Sequence, residues 1–396
     1  MTMAAAIESR NAGAPARSNS SRIAAIDILT GLDQAEAVWR SLELQQHLST
    51  PYQRFDFLRP WQRLVGAREG LQPLIVVAYD RDRVPLLLLP LVLRQMSGVR
   101  VAQFMGGKHA TFNMALWDRD FAAVACRADL DALFDAIRQR SGADMLALSQ
   151  QPLTWQDLPN PFALLPHQTS ANDCPAMTFA PDAPDTVRIS HSLRRRLKTK
   201  ERKLKGLPGY RYHLASSDAD IDLLLDAFFR IKPQRMAEQR LPNVFAEPGV
   251  EDFIRDACMT RLADGNRVIE IHALESDGDV LAIFAGVADG HRFSMMFNTY
   301  TVSASSRFSP GLVLIRHIVD HYAERGYRTL DLGVGSDDYK TLFCKANESI
   351  FDCFIPLGRR GSAAAAAMSL AGRTKRLVKS SPALLRVAQR LRRVLG

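Results

Sequence analysis

Between Ile23 and Leu148 the apolar positions follow two periods in turn, and the order of those periods describes an α/β chain. Ile23 to Ile28 reads as a short strand, and the stretch around Gln34 to Gln46 repeats its apolar residues at helical spacing. Leu74 to Tyr79 and Val84 to Leu93 are strands joined by the polar connection Asp80-Arg81-Asp82-Arg83, the pattern of a hairpin. Val99 to Met105 predicts a further strand, Asp129 to Arg140 an amphipathic helix, and Ala143 to Leu148 the strand after it.

A proline-rich stretch from Pro152 to Pro184 interrupts this pattern, and the same order then returns. Tyr210 to Ala215 is a strand, Ile221 to Ile231 and Val250 to Leu262 are helices, and Val268 to Glu275 and Val280 to Asp289 flank the turn Ser276-Asp277-Gly278-Asp279. Ala143 to Leu148 in the first half corresponds to Tyr327 to Leu332 in the second. Duplication of one α/β lobe leaves such a repeat behind. The division that follows is a disordered tail over 1–22, an N-terminal lobe over 23–165, a linker with a basic helix over 166–208, a C-terminal lobe over 209–357 and a basic amphipathic tail over 358–396.

In the second lobe the signals converge between Arg292 and Phe354. Arg292 to Tyr300 is a strand, and a polar loop leads to Ser309-Pro310-Gly311, where Ser suits an N-cap and Pro the first helical position. Leu312, Ile315, Ile318, Val319 and Tyr322 recur at helical spacing up to the stop at Gly326, and the strand Thr329 to Leu332 follows. This β-α-β crossover sets a helix N-terminus at the carboxyl end of the sheet, where unpaired N–H groups attract phosphate. Ser303-Ala304-Ser305-Ser306-Arg307 adds small residues and one cation beside it.

Composition narrows the field. A chain of 396 residues with 47% hydrophobic side chains can bury two ordinary cores. Its longest apolar run, Val84 to Leu93, is far short of the ~20 residues of a membrane span. Residues 1 to 22 lack the apolar core of a secretory signal, which predicts a cytoplasmic protein. Five scattered cysteines without a C-x-x-C fit a reducing compartment and provide no zinc framework, so no metal is implied. The net charge of +9 is local, because ten Lys or Arg and no acid lie from Cys353 onward, and the rest is nearly neutral. That argues against a general nucleic-acid binder.

Ser309-Pro310-Gly311, the helix to Gly326, Leu330-Asp331-Leu332-Gly333-Val334-Gly335 and Asp338-Tyr339-Lys340 resemble the C-terminal signature of the CelD-like GNAT acetyltransferases, a family named for an association with cellulose biosynthesis. Thr50-Pro51-Tyr52 to Trp61, Leu89-Pro90-Leu91 and Gly106-Gly107-Lys108 resemble the N-terminal lobe of the same family. Fem-type aminoacyl transferases share the double lobe and a similar ending. The resemblance implies an α/β fold with mixed sheets in tandem GNAT-like lobes, with acetyl-CoA or another acyl-CoA held in a V-shaped opening of the C-terminal lobe. An acceptor amine or hydroxyl, on a small molecule or a glycan, would attack the thioester directly. The usual Q/R-x-x-G-x-G/A phosphate motif is missing, and Gly106-Gly107-Lys108-His109 is not a P-loop, since Ala102 and His109 stand where Gly and Ser or Thr are required.

Acyl transfer needs a base for the acceptor, a polarised carbonyl and a proton for the thiolate. Asp331, Asp337 and Asp338 are the candidate bases; Asp331 in its apolar strand is equally suited to an ion pair that steadies the next loop. Tyr339 could protonate the thiolate or pack in the core, and Lys340 could hold an oxyanion or a phosphate. The carbonyl would be polarised by a backbone N–H near Phe297 or Asn298, while Arg307, Ser309 and Gly311 would hold the donor. His272 reads as a satisfied strand histidine.

Two basic segments remain. His191 to Lys205 is a helix that, with Arg188, carries nine cations and one acid; it could clamp an anionic acceptor, the 3′-phosphate of CoA or RNA, or be a solvated face over packed leucines. Ala383 to Leu395 predicts a basic amphipathic helix suited to peripheral contact with an anionic inner membrane face, or packed on the protein. Three readings follow: a CoA-dependent acyltransferase of surface polysaccharide or a related pathway, an aminoacyl-tRNA-dependent peptidyltransferase with tRNA as its only nucleic-acid partner, and a non-catalytic scaffold apposed to the membrane.

Overall fold

A computed structural model describes residues 20–44, 47–180, 188–335 and 337–381. The N-terminal lobe opens with β1 (Ala25–Leu29), α1 (Leu32–Ser41) and α2 (Phe55–Trp61), and continues through β2 (Gln72–Tyr79), β3 (Pro85–Met96), β4 (Val99–Phe104), α3 (Arg127–Arg140) and β5 (Met145–Pro152). β6 (Cys174–Thr178) and α4 (His191–Leu204) precede the second lobe. That lobe repeats the order with β7 (Arg211–Leu214), α5 (Asp218–Glu238), α6 (Val250–Met259), β8 (Glu270–Ser276), β9 (Asp279–Ala288), β10 (Arg292–Tyr300), α7 (Pro310–Glu324) and β11 (Thr329–Asp331). α8 (Asp338–Phe343), β12 (Ile350–Pro356) and α9 (Arg359–Ser380) close the described chain.

The two sheets have the same plan. One runs β1-β2-β3-β4-β5-β12 and the other β7-β8-β9-β10-β11-β6, each with short strands added. In both, the strands flanking the long helix pair in parallel: β4 with β5 at Ala102↔Leu146, and β10 with β11 at Phe293↔Leu330. In both, the strand beyond is antiparallel and comes from the other half of the chain. β12 follows the C-terminal lobe yet completes the N-terminal sheet, and β6 precedes α4 yet completes the C-terminal one. The N-terminal sheet therefore takes β12 from within 209–357, the C-terminal sheet takes β6 from the stretch 166–208 between the lobes, and each strand covers an edge that the parallel pair leaves open.

The lobes also share a core. Ile271, Ile283, Ala285 and Phe297 on one face of the second sheet join the apolar cluster of the first lobe, and Phe57 meets Phe253 with ring centroids 5.3 Å apart. On the opposite face, α4 and α7 bury Leu197, Leu204, Val313, Leu314 and Ile318 against Phe284, Phe293 and Met295. α7 stops where Gly326, at φ 79°, turns the chain and Tyr327 N–H bonds back to Tyr322 C=O at 3.1 Å.

The ends differ from the expected tails. Ser21 and Arg22 N–H bind the Asp129 carboxylate of α3, the latter at 2.6 Å. α9 is a helix whose Ala365 and Met368 cover Val101, Met145 and Ala147 of the first sheet. Gly361 permits that contact, since a Cβ there would sit 1.7 Å from Asp144 C=O. Only the later part of α9 presents Leu370 and Leu377 to solvent. The predicted helix Ala383 to Leu395 and residues 1–19 lie outside the described residues. No helix among the described residues is long and apolar enough to cross a membrane.

Candidate active site

The second lobe opens where β10 and β11 part. They pair from Arg292↔Thr329 to Ser294↔Asp331, after which β10 runs on to Tyr300 paired with β9 only. Its register with β9 breaks in this stretch, since Ala285 faces Phe297 while Gly286 faces Met295, so Met296 is the extra residue of a bulge. A bulge re-aims backbone groups at a sheet edge. Here it turns β10 towards the opening. β4, the equivalent strand of the first lobe, keeps an unbroken register with β3 from Leu91↔Phe104 to Met96↔Val99.

A cavity of about 280 Å³ fills the opening, lined by Phe284, Asn298, Tyr300, Ser309, Gly311 and Tyr339 among others. Four of the sequence-predicted residues thus meet in one place. Asn298 Nδ2 donates to the Tyr339 hydroxyl at 3.4 Å. Burial pushes that phenol well above its ordinary value, so it keeps its proton at neutral pH. At the mouth, Ser309 at φ 53° precedes Pro310, and Leu312 and Val313 N–H turn back onto Ser309 C=O at 3.0 and 3.2 Å. Pro310 has no N–H, which leaves Gly311 N–H as the open donor of the first turn. The atoms nearest to a Cβ on Gly311 would be those of Tyr300, at 3.6 Å and beyond, an ordinary van der Waals distance.

Two contributors were not foreseen at this place. Lys200 of the basic helix α4 reaches Ser309 Oγ at 2.6 Å, which brings a cation to the start of α7. Lys232 of α5 donates to Asn298 C=O at 2.9 Å, a carbonyl that lies past the end of β11 and has no strand partner there. Burial lowers the Lys232 ammonium to about 8. The helix expected over Ile221 to Ile231 stops one residue short of Lys232, whereas α5 runs on to Glu238, and nothing local in the sequence tied it to the strand opening.

The other predicted residues lie apart from the cavity. Asp331 is fully buried at the seam of the lobes, where its Oδ1 accepts from Ser294 Oγ at 2.9 Å and Gly333 N–H at 3.0 Å. Tyr52 OH bonds Ser294 Oγ at 2.9 Å, so the chain Tyr52, Ser294, Asp331 links the lobes. Burial raises the Asp331 carboxyl to about 6, opposed chiefly by Arg292, whose Nη1 is 4.0 Å away. Arg292 also pairs with Glu348 and lies over the Trp155 ring. Lys340 is buried too, with Nζ donating to Gly333 and Val334 C=O at 3.0 Å each. Asp338 is exposed at the start of α8, and Arg307 is exposed over Phe308. The Phe297 ring points into the shared core against Phe228.

His272 is buried between Tyr212 OH at 3.1 Å and Tyr322 OH at 2.9 Å, and burial holds it neutral. Among the described residues His213, Asp220 and Glu275 form one trio spaced for a cation, although Glu275 is already paired with Arg211 at 2.7 Å.

Comparison with known proteins agrees with this geometry. Residues 191–341, from α4 to α8, match the family model of the acetyltransferase (GNAT) domain. FemX superposes with a TM-score of 0.54 at 9% identity over 82% of this chain and 96% of its own. A conserved protein of unknown function from Bacteroides thetaiotaomicron gives 0.53 at 11% identity over 84% and 100%. The C-terminal domain of a protein assigned as a lysylphosphatidylglycerol synthetase in Agrobacterium fabrum gives 0.51 at 12% identity over 87% and 96%. At such identities the likeness is one of fold. A search of curated proteins finds no match. The chain has a mixed α/β fold of two GNAT-like lobes, the second of which, with α4 before it, carries the match to the acetyltransferase (GNAT) domain.

Proposed function

We propose that the chain transfers an acyl group, an acetyl group in the simplest case, from acyl-CoA to an amine or hydroxyl in the opening of the second lobe. The observation that carries this reading is the cavity between β10 and α7, which joins a strand bulge, an open helix N-terminus and a protonated phenol. The pantetheine arm would lie in the opening, with pyrophosphate at Gly311 N–H and Lys200. A β10 N–H beside the bulge would polarise the thioester carbonyl. The acceptor attacks that carbon, the C–S bond breaks, and Tyr339 OH protonates the departing thiolate. The neutral fraction of Lys232 takes the proton released by the acceptor. A surface polysaccharide or its precursor fits the resemblance to CelD-like proteins.

A ligand bound only by the folded state stabilises it by about 2.7 kcal/mol at a hundredfold excess over Kd. Acetyl-CoA at millimolar concentration should therefore raise the melting temperature, and an unmoved transition would overturn the reading. One observation favours an aminoacyl-tRNA-dependent alternative. Arg195, Lys198, Arg202 and Lys205 line one groove along α4, and none of them pairs with a carboxylate among the described residues. A shift caused by tRNA and not by acetyl-CoA would select that alternative.

A further inference from the structure

An ordinary surface helix turns its apolar stripe to the core and its polar residues to water, and the later part of α9 does the reverse. Its inner side is held largely by polar bonds. Ser369 Oγ donates to Gln168 Oε1 at 2.7 Å, Arg376 Nη1 to Ser170 C=O at 2.7 Å, and Lys379 Nζ to Asn172 Oδ1. The outer side is apolar. Ala363, Ala366, Ala367, Leu370 and Leu377 are all exposed and recur at helical spacing, with Thr374 as the one polar residue among them. Leu370 is 67% and Leu377 63% exposed, among the most exposed large apolar side chains of the described residues. At the rise of an α-helix the stripe runs for about 21 Å. A continuous apolar surface of this kind marks a contact site.

Charge decides what can cover it. Arg359, Arg360, Arg373 and Lys375 stand exposed on the same helix, and the helical period sets Arg359 at the start of the stripe and Arg373 along its flank. From Cys353 to the C-terminus the chain holds ten Lys or Arg and no acid. A second copy of α9 would bring the same cations against these. The stretch 382–396, laid back on α9, would add Arg386, Arg390, Arg392 and Arg393. Either contact sets like charges side by side where water screens them least. A nucleic acid would meet the cations and leave the leucines in water. An anionic bilayer surface satisfies both, with the leucines at the boundary of headgroups and acyl chains and the cations among the headgroups.

We propose that the outer stripe of α9 is a docking surface that lies in the interface of an anionic membrane. Stable attachment takes two signals, and the stripe acts together with the basic stretch 382–396 rather than in its place. The docking does not depend on which donor the second-lobe opening takes. The test is co-sedimentation of the full chain with vesicles of phosphatidylcholine alone and of phosphatidylcholine mixed with phosphatidylglycerol. The chain should bind only the mixed vesicles. Leu370→Gln combined with Leu377→Gln keeps the charge, the helix propensity and residues 382–396, and should weaken that binding about tenfold through the lost apolar contact alone. All four tryptophans, Trp39, Trp61, Trp117 and Trp155, are buried, so Leu370→Trp places one reporter on the surface. Brominated lipid should quench the added emission in that variant and leave the native emission unchanged. The melting shift with acetyl-CoA should be the same in both variants as in the native chain, which separates docking from the acyl-transfer reading. Equal vesicle binding by the Gln variant, indifference to phosphatidylglycerol, or no quenching in Leu370→Trp would overturn the proposal. So would self-association of the native chain that the Gln variant abolishes, since the stripe would then cover a second copy.

Discussion

Asp331→Asn changes one atom at the seam between the lobes. Asn keeps an oxygen to accept from Ser294 and Gly333 N–H, and its shape is that of the carboxylate it replaces. In the native chain the carboxyl is held at about 6 against an ordinary 3.8. At 1.36 kcal/mol per unit the ionised form then costs about 3 kcal/mol relative to the unfolded chain. Below pH 3.8 both states bind the proton and no cost arises. Between there and pH 6 the unfolded chain ionises first, so stability falls with rising pH, and above 6 the full cost is present. The variant cannot titrate at this position. Its stability relative to the native chain should therefore rise by about 2.4 kcal/mol between pH 4 and pH 7, whatever the constant offset from facing Arg292 with an amide. Urea denaturation of both proteins across that range measures the difference, in which other titrating groups such as Glu43 cancel. A difference independent of pH would refute the account of Asp331 as a desolvated seam carboxyl.

On the acyltransferase reading, Tyr339→Phe should lower kcat by about a hundredfold with KM for acetyl-CoA nearly unchanged, because the ring stays and only the proton donor goes. Gly311→Val should raise that KM about tenfold at similar kcat by crowding the first turn of α7, as initial-rate kinetics would show. Lys232→Met should abolish the rise of kcat/KM centred near pH 8 that the lowered lysine produces, read from a pH–rate profile. Full-length protein should co-sediment with anionic vesicles, less so with added salt, and a chain cut after Ser381 should not; a cut before Arg359 is the wrong control, since it also strips α9 from Val101 and Met145.

The strands and long helices were legible because each buries one face, so period 2 and period 3.6 are written into the residues. Arg292 to Tyr300 was read to the residue, and α7 within one or two at each end. β6 was not, because Cys174-Pro175-Ala176-Met177-Thr178 sits in a proline-rich stretch and its pairing with β11 and Ala346–Glu348 is wholly non-local. α2 was hidden by Pro60 in its interior. The site divides in the same way. Asn298, Ser309, Gly311 and Tyr339 lie on elements whose order brings them together, whereas Lys200 and Lys232 arrive through packing of helices that carry no local mark of their partners. Asp331 and Lys340 are polar groups in an apolar run, a pattern that fits catalysis and buried structure equally. The contact with Ser294 is what places Asp331 at the seam, and the Gly333 and Val334 carbonyls are what hold Lys340 in the loop after β11.

The placement of β6 and β12 has a consequence for how the two lobes relate. The first sheet is completed by β12 from beyond the second lobe and the second sheet by β6 from between the lobes, the lobes share one apolar cluster, and Tyr52, Ser294 and Asp331 bond across the seam. One lobe cannot rotate on the other without breaking strand pairing or the buried chain of hydrogen bonds. Packed connections of this kind fix one lobe on the other.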